Sequence, residues 1–422
     1  MRLDLVYGSA VWNAATKVNC HFVAERLSRD VPVVFVESVG ARAPRPHDWR
    51  RAVARLGRSM RPLRRVGERL WVFSPLPLPA FRGRGARLGS AAVGMQLRAM
   101  LRLLGWRVDV GWIFHPMGLG TARAAAPRAT VYYCVDDYLA NPGVDREALA
   151  LMEAELARAA DVTVVTGEPL APRFRGLARR VEVLPNVADT ELFARGAASV
   201  THPVLAALDA TPGPRVGYLG NLAAYKIDLD LVDGIARRRP DWSVTLVGPR
   251  DLGDTAGAVG RRRFPPNVRL LGPVPHALAP AVIDRFDVAL LPAAAHDVMK
   301  ASFPLKFFEY LLRGKPVVSS PLPALEPYRE WYDAAETAGE FVKAIEDALA
   351  GDGPSRAEGR RRFAAGFGWV ERGRQLLALR AELLGVSDRG GTDLSRHHSG
   401  RAVQGGEPRA PRRGPRTPVA GR

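Results

Sequence analysis

The sequence has few cysteines and no long apolar run, and both absences limit what the protein can be. Its 422 residues include only two cysteines, Cys20 and Cys134. Two cysteines cannot form a disulfide framework, and these two have no metal-ligand spacing, so we expect a reducing, cytoplasmic compartment. No stretch has the apolar core of a signal peptide or the length of a membrane-spanning helix. The sequence therefore predicts a protein without transmembrane segments.

The usual signatures of dinucleotide and nucleic-acid binding are also missing. The first predicted strand, residues 3–7, ends in a loop without the Gly-x-Gly-x-x-Gly pattern of nicotinamide and flavin sites. No segment has the pattern of a helix-turn-helix, an RNA-recognition motif or a zinc finger. We therefore expect no nucleic-acid partner, even though the net charge of +18 indicates an anionic one.

Acidic residues are scarce in one stretch above all. Residues 40–87 contain thirteen arginines but only Asp48 and Glu68, and tryptophan, methionine and leucine residues lie among them. Such a stretch could lie on anionic lipid headgroups. The alternative is a solvated, arginine-rich insertion. One hypothesis is therefore peripheral contact of residues 42–87 with the inner face of the plasma membrane.

The remainder alternates short apolar runs with amphipathic segments, which is typical of βα units around a parallel sheet. This α/β pattern occurs twice, and a small, proline-rich segment separates the two series. We predict a first domain over residues 1–195, a linker over 196–214 and a second domain over 215–365. A C-terminal helix is predicted over 366–386, and the Gly, Pro and Arg content of 387–422 predicts a disordered tail.

Polar side chains follow several predicted strands of the first series. They include His115, Asp136, Asp137, Thr166 and Asn186. In an open parallel sheet, ligands bind beyond the carboxyl ends of the strands. Each residue alone is more often a cap or a turn residue, but together they mark one edge of the sheet.

The second series ends in a stretch that predicts an anion site. Ser302 is a candidate N-cap, Pro304 fits the first turn of a helix, and Lys306 and Glu309 lie three positions apart on nearly one face. Free amides at a helix start, with a cation and a carboxylate beside them, suit a ligand with phosphates and hydroxyls, such as a nucleotide sugar. The alternative is an ordinary helix with an exposed Lys-Glu pair.

Four segments give the chain a resemblance to a known family. Together they resemble the retaining, glycosyltransferase-family-4-like group of GT-B glycosyltransferases, and most closely the bacterial members that build cell-surface polysaccharides, such as teichuronic-acid transferases. The segments are Val131-Tyr-Tyr-Cys-Val-Asp-Asp-Tyr138, Val183-Leu-Pro-Asn-Val-Ala-Asp-Thr-Glu-Leu-Phe193, Gly217-Tyr-Leu-Gly220 with Lys226, and Pro304-Leu-Lys-Phe-Phe-Glu-Tyr-Leu-Leu-Arg-Gly-Lys-Pro-Val-Val318.

The resemblance implies two Rossmann-like domains facing across a cleft, with the C-terminal helix crossing back to the first. It implies transfer of a sugar from a nucleotide-diphosphate sugar to a glycan or lipid-linked acceptor, without a metal or a cofactor. Lys226 and Lys306 match diphosphate-contacting positions, Glu309 matches the residue that binds the ribose hydroxyls, and Gly220 matches the glycine that lets backbone approach the phosphates. Asp137 or Asp136, with His115 behind them, would orient or deprotonate the acceptor hydroxyl.

The chain departs from the family pattern at several positions. Ala301 stands where the family usually has a glutamate that touches the transferred sugar, and Asn221 follows Gly220 in place of the usual arginine. Two other functions therefore stay open. One is a nucleotide-sugar epimerase with the same architecture, and the other is a catalytically inactive GT-B protein that docks partner enzymes.

Overall fold

A computed structural model describes residues 1–14, 17–38, 57–76, 83–140, 144–195, 200–250, 258–296, 299 and 303–385. These residues form two β-sheets with helices on both faces of each. The predicted α/β class with two Rossmann-like sheets is confirmed. The predicted tail, residues 387–422, lies outside the described residues.

The first sheet contains eight strands, and seven of them run parallel. In chain order they are β1 Arg2–Tyr7, β2 Val33–Val36, β3 Leu63–Gly67, β4 Leu70–Phe73, β5 Arg107–Ile113, β6 Ala129–Cys134, β7 Val162–Val165 and β8 Val181–Val183. They are ordered β3-β4-β2-β1-β5-β6-β7-β8, and β3 pairs antiparallel with β4 at one edge. Side chains alternate between two buried layers, because Leu5 and Tyr7 enter one core and Val6 the other.

The second sheet contains six strands, all of them parallel. They are β9 Arg215–Leu219, β10 Ser243–Val247, β11 Val268–Leu271, β12 Val288–Leu291, β13 Val317–Ser319 and β14 Asp333–Ala334. Their order is β11-β10-β9-β12-β13-β14. The carboxyl ends of β9 and β10 are therefore neighbours, which brings together the loops that follow them.

Helices cover both sheets and connect successive strands. In the first half these are α1 Asn19–Leu27, α2 Gly83–Leu103, α3 Leu119–Ala125, α4 Arg146–Ala159, α5 Ala171–Phe174, α6 Thr190–Ala194 and α7 Pro203–Asp209. The later helices are α8 Leu229–Arg238, α9 Ala258–Arg261, α10 Ala279–Asp284, α11 Lys306–Leu312, α12 Ala338–Gly351, α13 Pro354–Ala365 and α14 Trp369–Leu383. No described helix has both the length and the apolar content that crossing a bilayer needs.

The C-terminal helix α14 returns to the first sheet, as the resemblance implied. Leu376 and Leu379 enter the same core as β1 and β5. Arg380 Nε lies 2.9 Å from Oδ2 of Asp4, a fully buried carboxylate of β1. An ion pair and apolar packing thus hold the end of the described chain against its beginning.

Two segments differ from the sequence prediction. The described part of residues 42–87 includes the β-hairpin of β3 and β4. Leu70, Val72 and Phe73 of β4 are buried core residues, so this part of the segment does not form a surface stripe. The segment 196–214, predicted as an irregular linker, contains helix α7. We call the part of the chain around the first sheet the first lobe and the part around the second sheet the second lobe. Val204, Leu205 and Leu208 of this helix pack into the core of the second lobe, and this burial explains why a proline-rich stretch forms a helix.

Candidate functional site

At the carboxyl end of β9, a lysine lies beside a glycine of the backbone. Gly220 has φ of +157°, a conformation that favours glycine. The ammonium of Lys306 donates a hydrogen bond to Tyr218 Oη at 3.0 Å and lies 4.5 Å from the centre of its ring. A Cβ atom at Gly220 would lie 2.4 Å from Lys306 Nζ. The structure therefore brings together Gly220 and Lys306, two predicted donor-site residues that are 86 positions apart in the chain.

Gly248 completes this surface, although sequence analysis did not select it. It follows the neighbouring strand β10, has φ of +146°, and leaves no room for a side chain, since a Cβ atom would lie 2.0 Å from the Gly220 carbonyl oxygen. The sequence signal that could have identified Gly248 is its position directly after an apolar strand. Two strand ends without side chains, with an ammonium beside them, make a surface on which a phosphate could approach the backbone.

Helix α11 begins later than the sequence predicted. It starts at Lys306 with Leu305 as N-cap and has no side-chain cap, so Pro304 precedes the helix and does not lie in its first turn. The Pro304 carbonyl accepts a hydrogen bond from Phe307 N at 3.0 Å. Ser302, the predicted cap, lies outside the described residues. The buried face of α11, with Phe307 and Tyr310, fixes the helix against the sheet.

Glu309 lies in the first turn of α11 and has a histidine partner that sequence analysis did not identify. His276 Nε2 lies 3.7 Å from Glu309 Oε1. The hydrogen bond and charge of Glu309 raise the pKa of His276 above its ordinary value. His276 follows β11 and Glu309 lies in the helix after β12, so the pair joins two segments of the second sheet's connections.

Lys226 is held by contacts different from those of Lys306. Its ammonium lies 5.7 Å from the centre of the Tyr225 ring, and its carbonyl accepts a hydrogen bond from Ala294 N at 3.2 Å. Within the described residues no hydrogen bond joins the side chain of Lys226 to Gly220. Its predicted role at the diphosphate therefore stays a prediction.

In the first lobe, Asp137 belongs to a network of charges. Its Oδ1 accepts hydrogen bonds from Arg173 Nη1 at 2.7 Å and from Leu139 N at 3.0 Å. Arg173 Nε also lies 3.3 Å from Oε2 of the buried Glu153. Burial raises the pKa of Glu153, and Tyr132 donates a hydrogen bond to it at 2.6 Å. Asp137 is thus held in place by a guanidinium and a backbone amide, an arrangement suited to orienting a hydroxyl.

His115 and Asp136 lie beside this network. His115 Nδ1 accepts a hydrogen bond from Met117 N at 3.1 Å, and its ring packs 4.5 Å from that of Tyr138. Complete burial lowers the pKa of His115 to about 4, so its imidazole is neutral at pH 7. Asp136 is half-buried and accepts a hydrogen bond from Asp137 N at 3.0 Å. The three predicted catalytic residues therefore cluster at the ends of β5 and β6.

Asn186, at the end of β8, connects the two lobes. Its amide donates a hydrogen bond to the carbonyl of Phe303 at 3.1 Å, three residues before Lys306. Its Oδ1 accepts a hydrogen bond from Asn19 at 2.5 Å, at the start of α1. Arg372 of α14 donates a hydrogen bond to the Pro185 carbonyl at 2.6 Å. The strand ends of the first sheet are thus linked to the segment that carries the candidate donor site.

The described residues contain no group of three or more His, Cys, Asp and Glu side chains placed to hold a metal ion. Lys306 supplies positive charge, and Gly220 and Gly248 leave the backbone open to a ligand because they carry no side chains.

Comparison with known proteins assigns this architecture. Residues 213–351 match the family model for glycosyl transferases group 1. A putative teichuronic acid biosynthesis glycosyltransferase, TuaH from Bacillus subtilis strain 168, is 29% identical over 190 residues. That match covers 44% of this chain and 47% of TuaH, so the chain spans about half the length of this curated relative.

Similar folds occur among solved structures. Sucrose-phosphate synthase from Thermosynechococcus elongatus superposes with a TM-score of 0.67 at 16% identity, covering 92% of this chain and 100% of that one. HepE from Anabaena, solved in complex with UDP-glucose, has a TM-score of 0.62 at 16% identity, with 90% and 100% covered. At this identity the likeness concerns the fold. The chain therefore has the GT-B fold, and its residues 213–351 are similar to glycosyl transferases group 1.

Proposed function

We propose that the protein is a glycosyltransferase that moves a sugar from a nucleotide-diphosphate sugar to a glycan or lipid-linked acceptor. The observation that carries this proposal is the contact between Lys306, Gly220 and Gly248 within a domain of a glycosyltransferase family. HepE, a structural neighbour, was solved with UDP and with UDP-glucose, which supports a donor of the same chemical class here. The relation to TuaH supports a role in cell-surface polysaccharide synthesis.

The donor half of the mechanism follows from the second lobe. Lys306 and the backbone at Gly220 and Gly248 would neutralise charge that develops on the departing diphosphate. Each such contact typically contributes about 3 kcal/mol to transition-state stabilisation, or roughly 10² in rate. Glu309, with His276 beside it, would accept hydrogen bonds from the ribose hydroxyls. Lysine charge and backbone dipoles would replace a metal in this proposal.

The acceptor half would use the first lobe. Asp137 or Asp136 would orient or deprotonate the acceptor hydroxyl, because both carboxylates follow β6 and His115 beside them is buried with a lowered pKa. Asp137→Asn and Asp136→Asn should each reduce turnover while leaving nucleotide affinity unchanged.

We further propose that the enzyme works in the cytoplasm at the inner face of the plasma membrane. The supporting observation is the excess of arginine in residues 42–87, part of which lies outside the described residues. A lipid-linked acceptor would be presented at that surface.

Calorimetry with a panel of nucleoside diphosphates, in buffer containing EDTA, tests the donor proposal. We expect one nucleotide to bind with one-to-one stoichiometry. Lys306→Ala and Glu309→Ala should weaken it, and Lys343→Ala on the exposed face of α12 should not. Unchanged binding in both site variants would refute the site.

A nucleotide-sugar epimerase of the same architecture is one alternative. A catalytically inactive GT-B partner protein is the other, and Ala301 in place of the family's glutamate favours it. Incubation with a nucleotide sugar and no acceptor separates them, because only an epimerase would convert it to a new nucleotide sugar. A protein that binds a nucleotide but turns over no donor, with or without membrane extract, would be the inactive partner.

A further inference from the structure

Helix α2 has large apolar side chains on the face that points away from the protein. Leu88 and Met95 are each 66% exposed, and Leu103 is 87% exposed. Their spacing of seven and eight residues places them on one side of the helix. A helix of a globular protein usually turns its large apolar residues inward, so this outer stripe calls for an explanation.

The inner face of α2 is used for close packing. Ser90 Oγ donates a hydrogen bond to the carbonyl of Met117 at 2.7 Å and accepts one from Gly120 N at 2.8 Å. A Cβ atom at Gly94 would lie 2.3 Å from the Gly120 carbonyl oxygen. Val93 and Leu97 enter the core. The helix is therefore fixed by its inner face, and the outer stripe is not needed to hold it in place.

The charged side chains of α2 itself are all basic. From Arg69 to Val108 the sequence has seven arginines, Arg69 included, and no acidic residue. Arg98 and Arg102 are exposed beside the stripe, and neither has an ion-pair partner among the residues that the structure describes. A cavity of about 270 Å³ next to them is lined by Arg87, Arg98, Arg123 and Met95, with Glu155 as its acidic member.

The apolar surface continues beyond the helix. Leu76 is 50% exposed, and its backbone is tied to α2 by two hydrogen bonds with the Gln96 side chain, at 2.9 and 3.0 Å. Leucine and methionine next to unpaired arginines form the pattern of helices that lie in a membrane interface. A soluble partner would be expected to present acidic side chains, whereas an anionic bilayer offers phosphates and apolar chains to the same face.

We propose that the outer face of α2, formed by Leu88, Met95, Arg98, Arg102 and Leu103, lies on an anionic lipid surface. This deepens the membrane part of the proposed function and moves the contact from residues 42–87, whose strand β4 is buried, to the helix that follows. The apolar side chains would enter the headgroup region, and the arginines would contact lipid phosphates.

Sedimentation of the full-length protein with vesicles tests this inference. We expect binding to vesicles of phosphatidylglycerol and phosphatidylcholine in equal amounts, and little binding to phosphatidylcholine alone. Leu88→Ser with Met95→Ser should lower the partition coefficient at least about tenfold, because two large apolar side chains leave the interface. Arg98→Ser with Arg102→Ser should lower it by about fivefold per arginine removed.

The controls are exposed positions on other helices and in the other lobe. Val370→Ser on α14 removes an exposed apolar residue, and Arg263→Ser in the second lobe removes an exposed arginine. Both should leave vesicle binding unchanged, and thermal melting checks that all variants fold. Equal binding of the wild type and the α2 variants would overturn the inference. So would a dimer in solution that the Leu88 and Met95 changes dissociate, because a second copy would then cover the face.

Nucleotide binding is measured without lipid and so separates the two proposals. A wild-type protein that binds a nucleotide but no vesicles would refute only the lipid surface. A wild-type protein that binds vesicles but no nucleotide would refute the donor site and leave the lipid surface standing.

Discussion

Replacing Lys306 by methionine should weaken the binding of nucleoside diphosphates but not of nucleosides. Methionine keeps the length and apolar stem of the side chain, so it can still pack on Tyr218, but it removes the ammonium that lies 3.0 Å from Tyr218 Oη. The lost interaction would be a charge-assisted contact between an ammonium and a phosphate in a half-buried site.

A contact of this kind contributes about 2–3 kcal/mol, which corresponds to roughly 30- to 150-fold in Kd. The corresponding nucleoside carries no phosphate, so its affinity should change less than about twofold, within the scatter of surface substitutions. Glu309→Gln should instead weaken nucleoside and nucleoside diphosphate alike, because ribose is common to both. The two variants thus separate the phosphate and ribose parts of the ligand.

Titration calorimetry with the nucleotide found in the initial panel measures both affinities. Lys343→Met is the matched control, since this lysine lies in the same lobe with a 70% exposed side chain. Thermal melting checks that Lys306→Met folds. A Kd for the diphosphate that stays within twofold of the wild type would refute the assignment of Lys306.

Three further predictions concern stability and geometry. Gly220→Ala forces a side chain into a positive-φ position against Lys306, so we expect a loss of about 1–3 kcal/mol in unfolding free energy and weaker nucleotide binding. Glu309 raises the pKa of His276, so the folded protein holds that proton more tightly than the unfolded chain. The stabilisation of the folded protein by the His276–Glu309 pair is fully present below the ordinary histidine pKa of 6.5 and is lost as pH rises through the raised pKa of His276. The difference in melting temperature between the wild type and His276→Gln should therefore narrow with rising pH. Arg380→Met leaves the carboxylate of Asp4 buried without its ion pair and should cost about 3–5 kcal/mol in urea unfolding, most of which Asp4→Asn should restore.

The Gly220→Ala and Arg380→Met predictions each have a control variant in the same part of the molecule. Gly272→Ala meets no atom within 4 Å and should leave melting and nucleotide affinity unchanged. Arg374→Met removes an exposed arginine from the same helix as Arg380 and should cost little. Equal losses in the control and the test variant would contradict the corresponding argument, and so would a pH-independent effect of His276→Gln.

The regular parts of the fold were predictable because burial leaves a local signal. Strands β10, β11 and β12 coincide with short apolar runs of the kind from which the sequence predicted βα units. The hairpin of β3 and β4 was missed because the edge strand β3 contains Arg64 and Arg65. These arginines made the whole segment look like a polar insertion, although the partner strand β4 is buried. Helix α7 was missed because packing against the second lobe stabilises it. The local sequence of a proline-rich segment gives no sign of such long-range packing.

The candidate site was only partly predictable, because its contacts join distant segments. Lys306 and Glu309 were marked by a local pattern, but the Asn186–Phe303 hydrogen bond joins residues 117 positions apart. The ion pair between Arg173 and Asp137 spans 36 positions, and nothing near Asp137 in the sequence indicates it. Such pairs change the chemistry of a carboxylate and become visible only when the strands are assembled.

Sugar transfer itself can be measured with a radiolabelled donor. The protein would be incubated with radiolabelled nucleotide sugars of the base selected by calorimetry, together with lipid extract from a bacterial membrane. We expect label to enter the lipid or polymer fraction with equimolar release of nucleoside diphosphate, and we expect Lys306→Met to slow both equally. Label that remains in the nucleotide sugar, or passes to a new nucleotide sugar without acceptor, would contradict the proposed transfer.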